Sequence, residues 1–165
     1  MSYELQALIG PAELVAVAAA EVSAARPRPL AQGLALIPAT SGFLTALRFG
    51  DEEPASPGAA GFDWFSDGLE RRLAAWSKAG PIACVEAEYF GGTGIQRAAL
   101  WADGRLDLGP LVSGELEVFP PEGSPISRVL CRLGVRVPAG TTDRDEFDAA
   151  GLAAHRTTAA WAASP

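Results

Sequence analysis

The stretch that decides the fold is Ala83–Leu108, ACVEAEYFGGTGIQRAALWADGRLDL. Two turn signals divide it into three segments rich in strand formers. Glycine reaches positive φ without steric cost, so Gly91-Gly92-Thr93-Gly94 reads as one hairpin turn and Asp103-Gly104 as another. With Gly92 and Thr93 as the first turn, Phe90 would pair with Ile95 and Glu88 with Arg97. The second turn would pair Trp101 with Leu106. The expectation is a three-stranded antiparallel meander.

Side chains alternate across a strand. One face would carry Ile82, Cys84, Glu86, Glu88, Phe90, Arg97, Trp101, Leu106 and Leu108. The other would carry Ala83, Val85, Ala87, Tyr89, Gln96, Ala98 and Leu100. The first face is apolar at one end and charged at the other. Burying unpaired carboxylates is costly, so Glu86 and Glu88 are expected beyond the covering helices, with Arg97 as a cross-strand partner. Two readings stand side by side. One is an ordinary surface ion pair. The other is a polar binding cleft floored by Glu86, Glu88, Gln96 and Arg97. Carboxylates two apart on a strand sit about 7 Å from each other, but no second motif supports glycosidase chemistry.

Outward from the meander, Gly80-Pro81 closes a helix with Leu69, Leu73 and Trp76 on one stripe and Ser66 or Asp67 as its cap. Phe62, Trp64 and Phe65 precede it, as a core plug or as an exposed anchor in which Trp64 would touch a partner. Gly50–Gly61, GDEEPASPGAAG, reads as a flexible loop, and its Asp51, Glu52 and Glu53 are candidate partner contacts. Upstream, Tyr3 to Ile9 reads as a strand. A helix follows from Pro11 to about Ser23, with Leu14, Val15, Ala18 and Val22 inward. Arg26 to Pro29 reads as a connector. Leu34 to Ile37 is a short buried strand ended by Pro38, and Ser41 caps a short helix through Phe43, Leu44 and Leu47.

Downstream, Leu116 to Phe119 is a candidate short strand before Pro120-Pro121. Ser124-Pro125 opens a helix with Ile126, Val129, Leu130 and Leu133 on one stripe and Gly134 at its end. Arg128, Arg132 and Arg136 lie along another side, as a solvated flank or a phosphate stripe. Asp143-x-x-Glu146 resembles a capping box. Phe147 and Leu152 then face inward, Gly151 breaks the helix, and Thr157 or Thr158 restarts it toward Trp161. The expected architecture is α+β, a mainly antiparallel sheet centred on the meander with helices on at least one face. One domain is expected over 1–165.

A formal net charge of -7 and a pI near 4.7 argue against nonspecific nucleic-acid binding and against an anionic membrane surface, and they suit a basic partner. Lys78 is the only lysine, which confines Schiff-base chemistry to that position and fits a GC-rich bacterial gene. Cys84 and Cys131 fall outside any CxxC pair and read as buried free thiols, a disulfide between them being the other option. His155 is the only histidine, so a multi-histidine metal site is excluded. It is expected to pack at the break in the last helix. No G-x-S-x-G elbow accompanies it. Gly91–Gly94 continues into a strand and lacks the lysine of a phosphate loop. No catalytic residue, cofactor or metal is expected. MSYELQAL lacks a basic leader region, and Glu13 and Glu21 bracket the apolar run Leu14–Val22. A cytoplasmic protein is therefore expected.

The run Glu86-Ala87-Glu88-Tyr89-Phe90-Gly91-Gly92-Thr93-Gly94-x-Gln96, with Ala98-x-x-Trp101 and Gly109-Pro110, resembles a pattern of small bacterial proteins, actinobacterial in character. Ile126-x-x-x-Leu130-x-x-Leu133-Gly134-Val135 and Asp145-Glu146-Phe147 fit the same pattern. Some of these are similar to immunity proteins of bacterial toxin systems. The resemblance implies a non-enzymatic inhibitor that binds a cognate protein toxin, and it brings no catalytic residues. The alternative is a small-ligand protein or enzyme using the Glu86, Glu88, Gln96 and Arg97 cleft.

Overall fold

The computed structural model describes residues 2–47, 62, 64–140 and 144–164. The Gly50–Gly61 segment with Asp51, Glu52 and Glu53, and Asp143 of the expected capping box, lie outside the described residues.

Six strands form one antiparallel sheet. They are β1 (Ser2–Pro11), β2 (Arg28–Pro29), β3 (Leu34–Pro38), β4 (Ile82–Phe90), β5 (Thr93–Ala102) and β6 (Arg105–Ser113), in the order β2-β3-β1-β4-β5-β6. The helices are α1 (Ala12–Glu21), α2 (Ser41–Leu47), α3 (Asp67–Trp76), α4 (Pro125–Arg132), α5 (Glu146–Ala150) and α6 (Thr158–Ala163), with a 3-10 turn at Leu152–Ala154. The architecture is α+β, as the sequence predicts. The meander is its right-hand half, and the first strand runs beside it rather than at an edge.

Both faces of the sheet are covered. α1, α2, α3 and the Phe62 aromatic cluster pack on a first face that contains Leu8, Ile37, Cys84, Ala99 and Trp101. α4, α5 and α6 pack on a second face that contains Leu5, Ile9, Val85, Ala98 and Leu100. Central strands buried on both sides lose polar alternation. This is why Ala7-Leu8-Ile9 and Ile82-Ala83-Cys84-Val85 are continuous apolar runs.

Local chemistry sets most element ends. Ser66 Oγ accepts from Leu69 N and caps α3, and Ser124 Oγ accepts from Ser127 N and caps α4. Thr40, not Ser41, caps α2, with its hydroxyl accepting from Phe43 N at 3.2 Å. Asp145 caps α5 by accepting from Asp148 N. Gly151 ends α5 at φ 91°, and Thr157 caps α6.

Several expectations change. Arg28–Pro29, read as a connector, pairs with β3 as a short edge strand. Proline lacks the ladder donor and suits such an edge. Leu116 to Phe119 is not a strand; Leu116 adopts φ 63° and the segment leaves the sheet after Ser113. The first hairpin turns on Gly91 and Gly92, at φ 63° and 87°, instead of Gly92 and Thr93. Positive φ at both central residues is what the tight hairpin turn demands. Phe90 therefore pairs with Thr93, Glu88 with Ile95, and Glu86 with Arg97. The slip is two residues, so every side chain keeps its predicted face. Leu108 does change face. Extra residues in β6 shift the register, so that Trp101 meets Leu106 but Leu100 meets Leu108. Leu108 thus joins the second face. At the second irregularity Gly109 lies so close to β5 that a Cβ would sit 2.8 Å from Ala98 O.

β3 covers only the far half of β1, from Ala7 to Pro11. The chain before α6 fills the remaining edge: Glu4 N donates to Arg156 O at 2.8 Å, and Gln6 N to Thr158 Oγ1 at 2.9 Å. The Glu4 carboxylate in turn accepts from Thr158 N and Thr158 Oγ1. An otherwise open strand edge is closed by the last helix.

Cys84 is fully buried in the first-face core, and Cys131 is exposed on α4 beyond the second face. Both thiols are free, and the sheet stands between them. Cys131 is not the buried thiol expected, because Val129 and Leu130 take the inward stripe of α4. Burial pushes the Cys84 thiol well above its usual range, which suppresses the thiolate. A thiol reagent at neutral pH should titrate one thiol per folded chain and a second only in denaturant. Rapid native labelling of both would contradict this packing. Among the described residues no helix is long and apolar enough to cross a membrane.

Candidate functional site

The residues expected to floor one cleft do not meet. Gln6, Glu86, Arg97 and Val112 form a row across β1, β4, β5 and β6. Arg97 Nη1 lies 2.8 Å from Glu86 Oε2, and Gln6 Nε2 donates to Glu86 Oε1 at 3.3 Å. The Arg97 guanidinium stands 5.9 Å from the Phe62 ring centroid. Each charge is partnered and half-covered, the geometry of a structural ion pair at the margin of the first-face core. Gln96 points to the opposite face, is 6% exposed, and accepts from Ile126 N at 3.0 Å. It ties β5 to the start of α4. Glu88 is exposed at the hairpin tip, away from Arg97, where it shares a hollow of about 250 Å³ with Phe90, Thr93, Ile95 and Glu115. The one-cleft arrangement is corrected on two grounds: strand alternation separates Gln96 from Glu86, and the turn position removes Glu88 from Arg97.

Trp64 is buried at 7% exposure and packs edge-on against Phe62 and Phe65, at 5.3 and 5.4 Å. It is a core residue rather than an exposed anchor. His155 packs edge-on against Trp161 with centroids 4.6 Å apart. Arg132 pairs with Asp107 on β6, so the basic flank of α4 is partly neutralised. Among the described residues no three His, Cys, Asp or Glu side chains gather as a metal site.

Two other features were missed. The first is an exposed apolar strip. Phe90 is 77% exposed, Val112 56%, Leu116 86% and Val118 93%. Glu88 and Glu115, both exposed, share a hollow with Phe90. Val112 and Val118 share a second hollow with Glu117 and Arg128, and Phe119 continues toward a third. The signal was present in the sequence, since LEVF was read as a strand when it forms an outward-facing loop.

The second feature is that third hollow, a cavity of about 340 Å³ between the outer end of the second face and α5. Tyr3 and Tyr89 are neighbours on β1 and β4. Phe147 on α5 meets Tyr3 edge-on at 5.5 Å, and Tyr3 Oη donates to Leu152 O at 2.9 Å. Burial foremost raises the Tyr89 pKa; the nearby Gln96 side chain opposes the shift and the Asp145 charge adds to it. Burial foremost, then the Glu4 charge, hold Tyr3 far above the ordinary phenol range. Both phenols therefore stay neutral at physiological pH. Tyr3 and Phe147 lie too far apart in sequence for any local pattern to join them.

No family model matches the chain, and neither the curated proteins nor the solved structures contain a match.

Proposed function

We propose that this chain is a non-enzymatic, cytoplasmic binding protein of the immunity type, which binds and neutralises a basic protein toxin encoded nearby. The observation that carries the reading is the group of exposed apolar side chains Phe90, Val112, Leu116 and Val118, with Glu88, Glu115 and Glu117 outnumbering Arg128 around them. Exposed apolar side chains grouped in this way mark interaction surfaces. An acidic rim and a net charge of -7 favour a basic partner and speed its encounter. The strip replaces the Trp64 surface and the four-residue cleft as the proposed contact.

Co-expression with the products of adjacent genes, followed by size-exclusion chromatography, tests it. A complex is expected. The double variant Leu116→Asp, Val118→Asp should weaken it at least about a hundredfold, since central apolar anchors cost about 2 kcal/mol or more apiece. Its melting temperature should match the parent within about a degree, because surface changes rarely exceed about 0.5 kcal/mol. Failure of every neighbouring product to associate would count against the proposal.

A further inference from the structure

We infer that the cavity between β4 and α5 binds an organic cation, an ammonium or guanidinium group, between its aromatic rings and the Asp148 carboxylate. Four rings line it: Tyr3, Tyr89, Phe119 and Phe147. The face of an aromatic ring carries negative quadrupolar potential, and each ring within about 6 Å of a cation contributes roughly 0.5–2 kcal/mol. Tyr3 is held in place by its bond to Leu152 O and by the edge-on Phe147 ring. Those two rings are thus set before any ligand arrives.

Two carboxylates complete the wall. Asp145 accepts from Asp148 N and from Ser127 Oγ, which orients it while leaving its charge in place. Asp148 is half-buried, and among the described residues no donor pairs with its carboxylate. A partly desolvated carboxylate gains more from a cation than one in water. Among the described residues Arg156 is the one cationic group lining the wall, and Arg144 reaches the Asp148 backbone carbonyl beside it. Arg156 is exposed and donates from Nη1 to Ser2 O at 3.3 Å, so it stands at the rim. Phe119 belongs both to this wall and to the end of the exposed strip. A lysine or arginine of a docked protein could therefore reach the cavity, as could a free quaternary amine.

Aromatic NMR titration of the full chain at low salt tests the inference without any partner. The probes are N-acetyl-lysine amide, N-acetyl-arginine amide and tetramethylammonium, with N-acetyl-norleucine amide as the uncharged control. Saturable shifts of the Tyr3, Tyr89 and Phe147 rings are expected with a cation, at least tenfold tighter than with norleucine. Asp148→Asn should weaken the best cation at least fivefold while the chain stays folded, and Tyr89→Leu should abolish its binding. Tighter binding of the amino-acid amides assigns a protein side chain as the source, and tighter binding of tetramethylammonium assigns a free amine. Absence of saturation with all three cations overturns the inference. So does norleucine binding equally well, or Asp148→Asn leaving the affinity unchanged. Because no toxin is present, loss of the proposed complex and loss of cation binding are separate results.

Discussion

Gly94→Ala is expected to destabilise the protein by roughly 3 kcal/mol or more. A Cβ built at Gly94 would sit 1.9 Å from Glu88 O and 2.7 Å from Tyr89 Cα. Both atoms are backbone of the paired strand, so no rotamer change relieves the contact. The strands must part where Tyr89 faces Gly94 and Glu88 faces Ile95. For a chain of this length about 1 kcal/mol corresponds to roughly 2–4 °C, so the melting temperature should fall by roughly 6–12 °C. Gly92→Ala separates this effect from generic turn strain. Its Cβ meets nothing within 4 Å, but φ is 87°. That conformation costs an alanine roughly 1–2 kcal/mol, so the fall should be clearly smaller. A Gly94→Ala protein melting within about two degrees of the parent would refute the close strand approach. Because Tyr89 lines the cavity, Gly94→Ala should also weaken cation binding.

Trp101→Ala is the second large effect. Trp101 is 2% exposed, its ring centroid lies 5.6 Å from that of Phe65, and Ile82 and Leu106 flank it on the neighbouring strands. Truncation removes the largest fully buried side chain of the first-face core. Loss of the transferred surface together with the cavity left behind costs about 3–5 kcal/mol. In urea the midpoint should drop while the slope with denaturant stays the same, as for a change in stability alone. A loss below about 1 kcal/mol would mean that the aromatic cluster does not pack against β5.

Much of the architecture was legible because it depends on neighbours in the chain. Asp103-Gly104 takes positive φ at both positions, and the pairing of Trp101 with Leu106 follows from the turn alone. Ser66, Ser124-Pro125 and Gly151 mark helix ends through hydrogen bonds spanning three or four residues. The first hairpin was misplaced because four consecutive candidates, Gly91-Gly92-Thr93-Gly94, allow more than one turn. Gly94 is glycine for a different reason, the approach of Glu88 and Tyr89. No local pattern announces such a contact.

The candidate sites were harder to see. Glu86 with Arg97 looked placed for function and is a partnered ion pair. The exposed strip was hidden because Leu116-Glu117-Val118-Phe119 alternates like a strand, and alternation alone does not say whether the apolar side meets a core. The cavity joins β1, β4 and β5 to α5 and the segment before α6.

The sequence by itself determined the α+β class, the meander, the caps of α3, α4 and α6 and the face on which most meander side chains lie. These rest on φ preferences, capping and the alternation of strands, all of which act within a few residues. Tertiary structure alone decided the order β2-β3-β1-β4-β5-β6, the covering of both faces, and the meeting of Tyr3, Tyr89 and Phe147 around one cavity. Those depend on pairings between distant segments, where burial of the whole apolar surface, rather than any local preference, selects the arrangement.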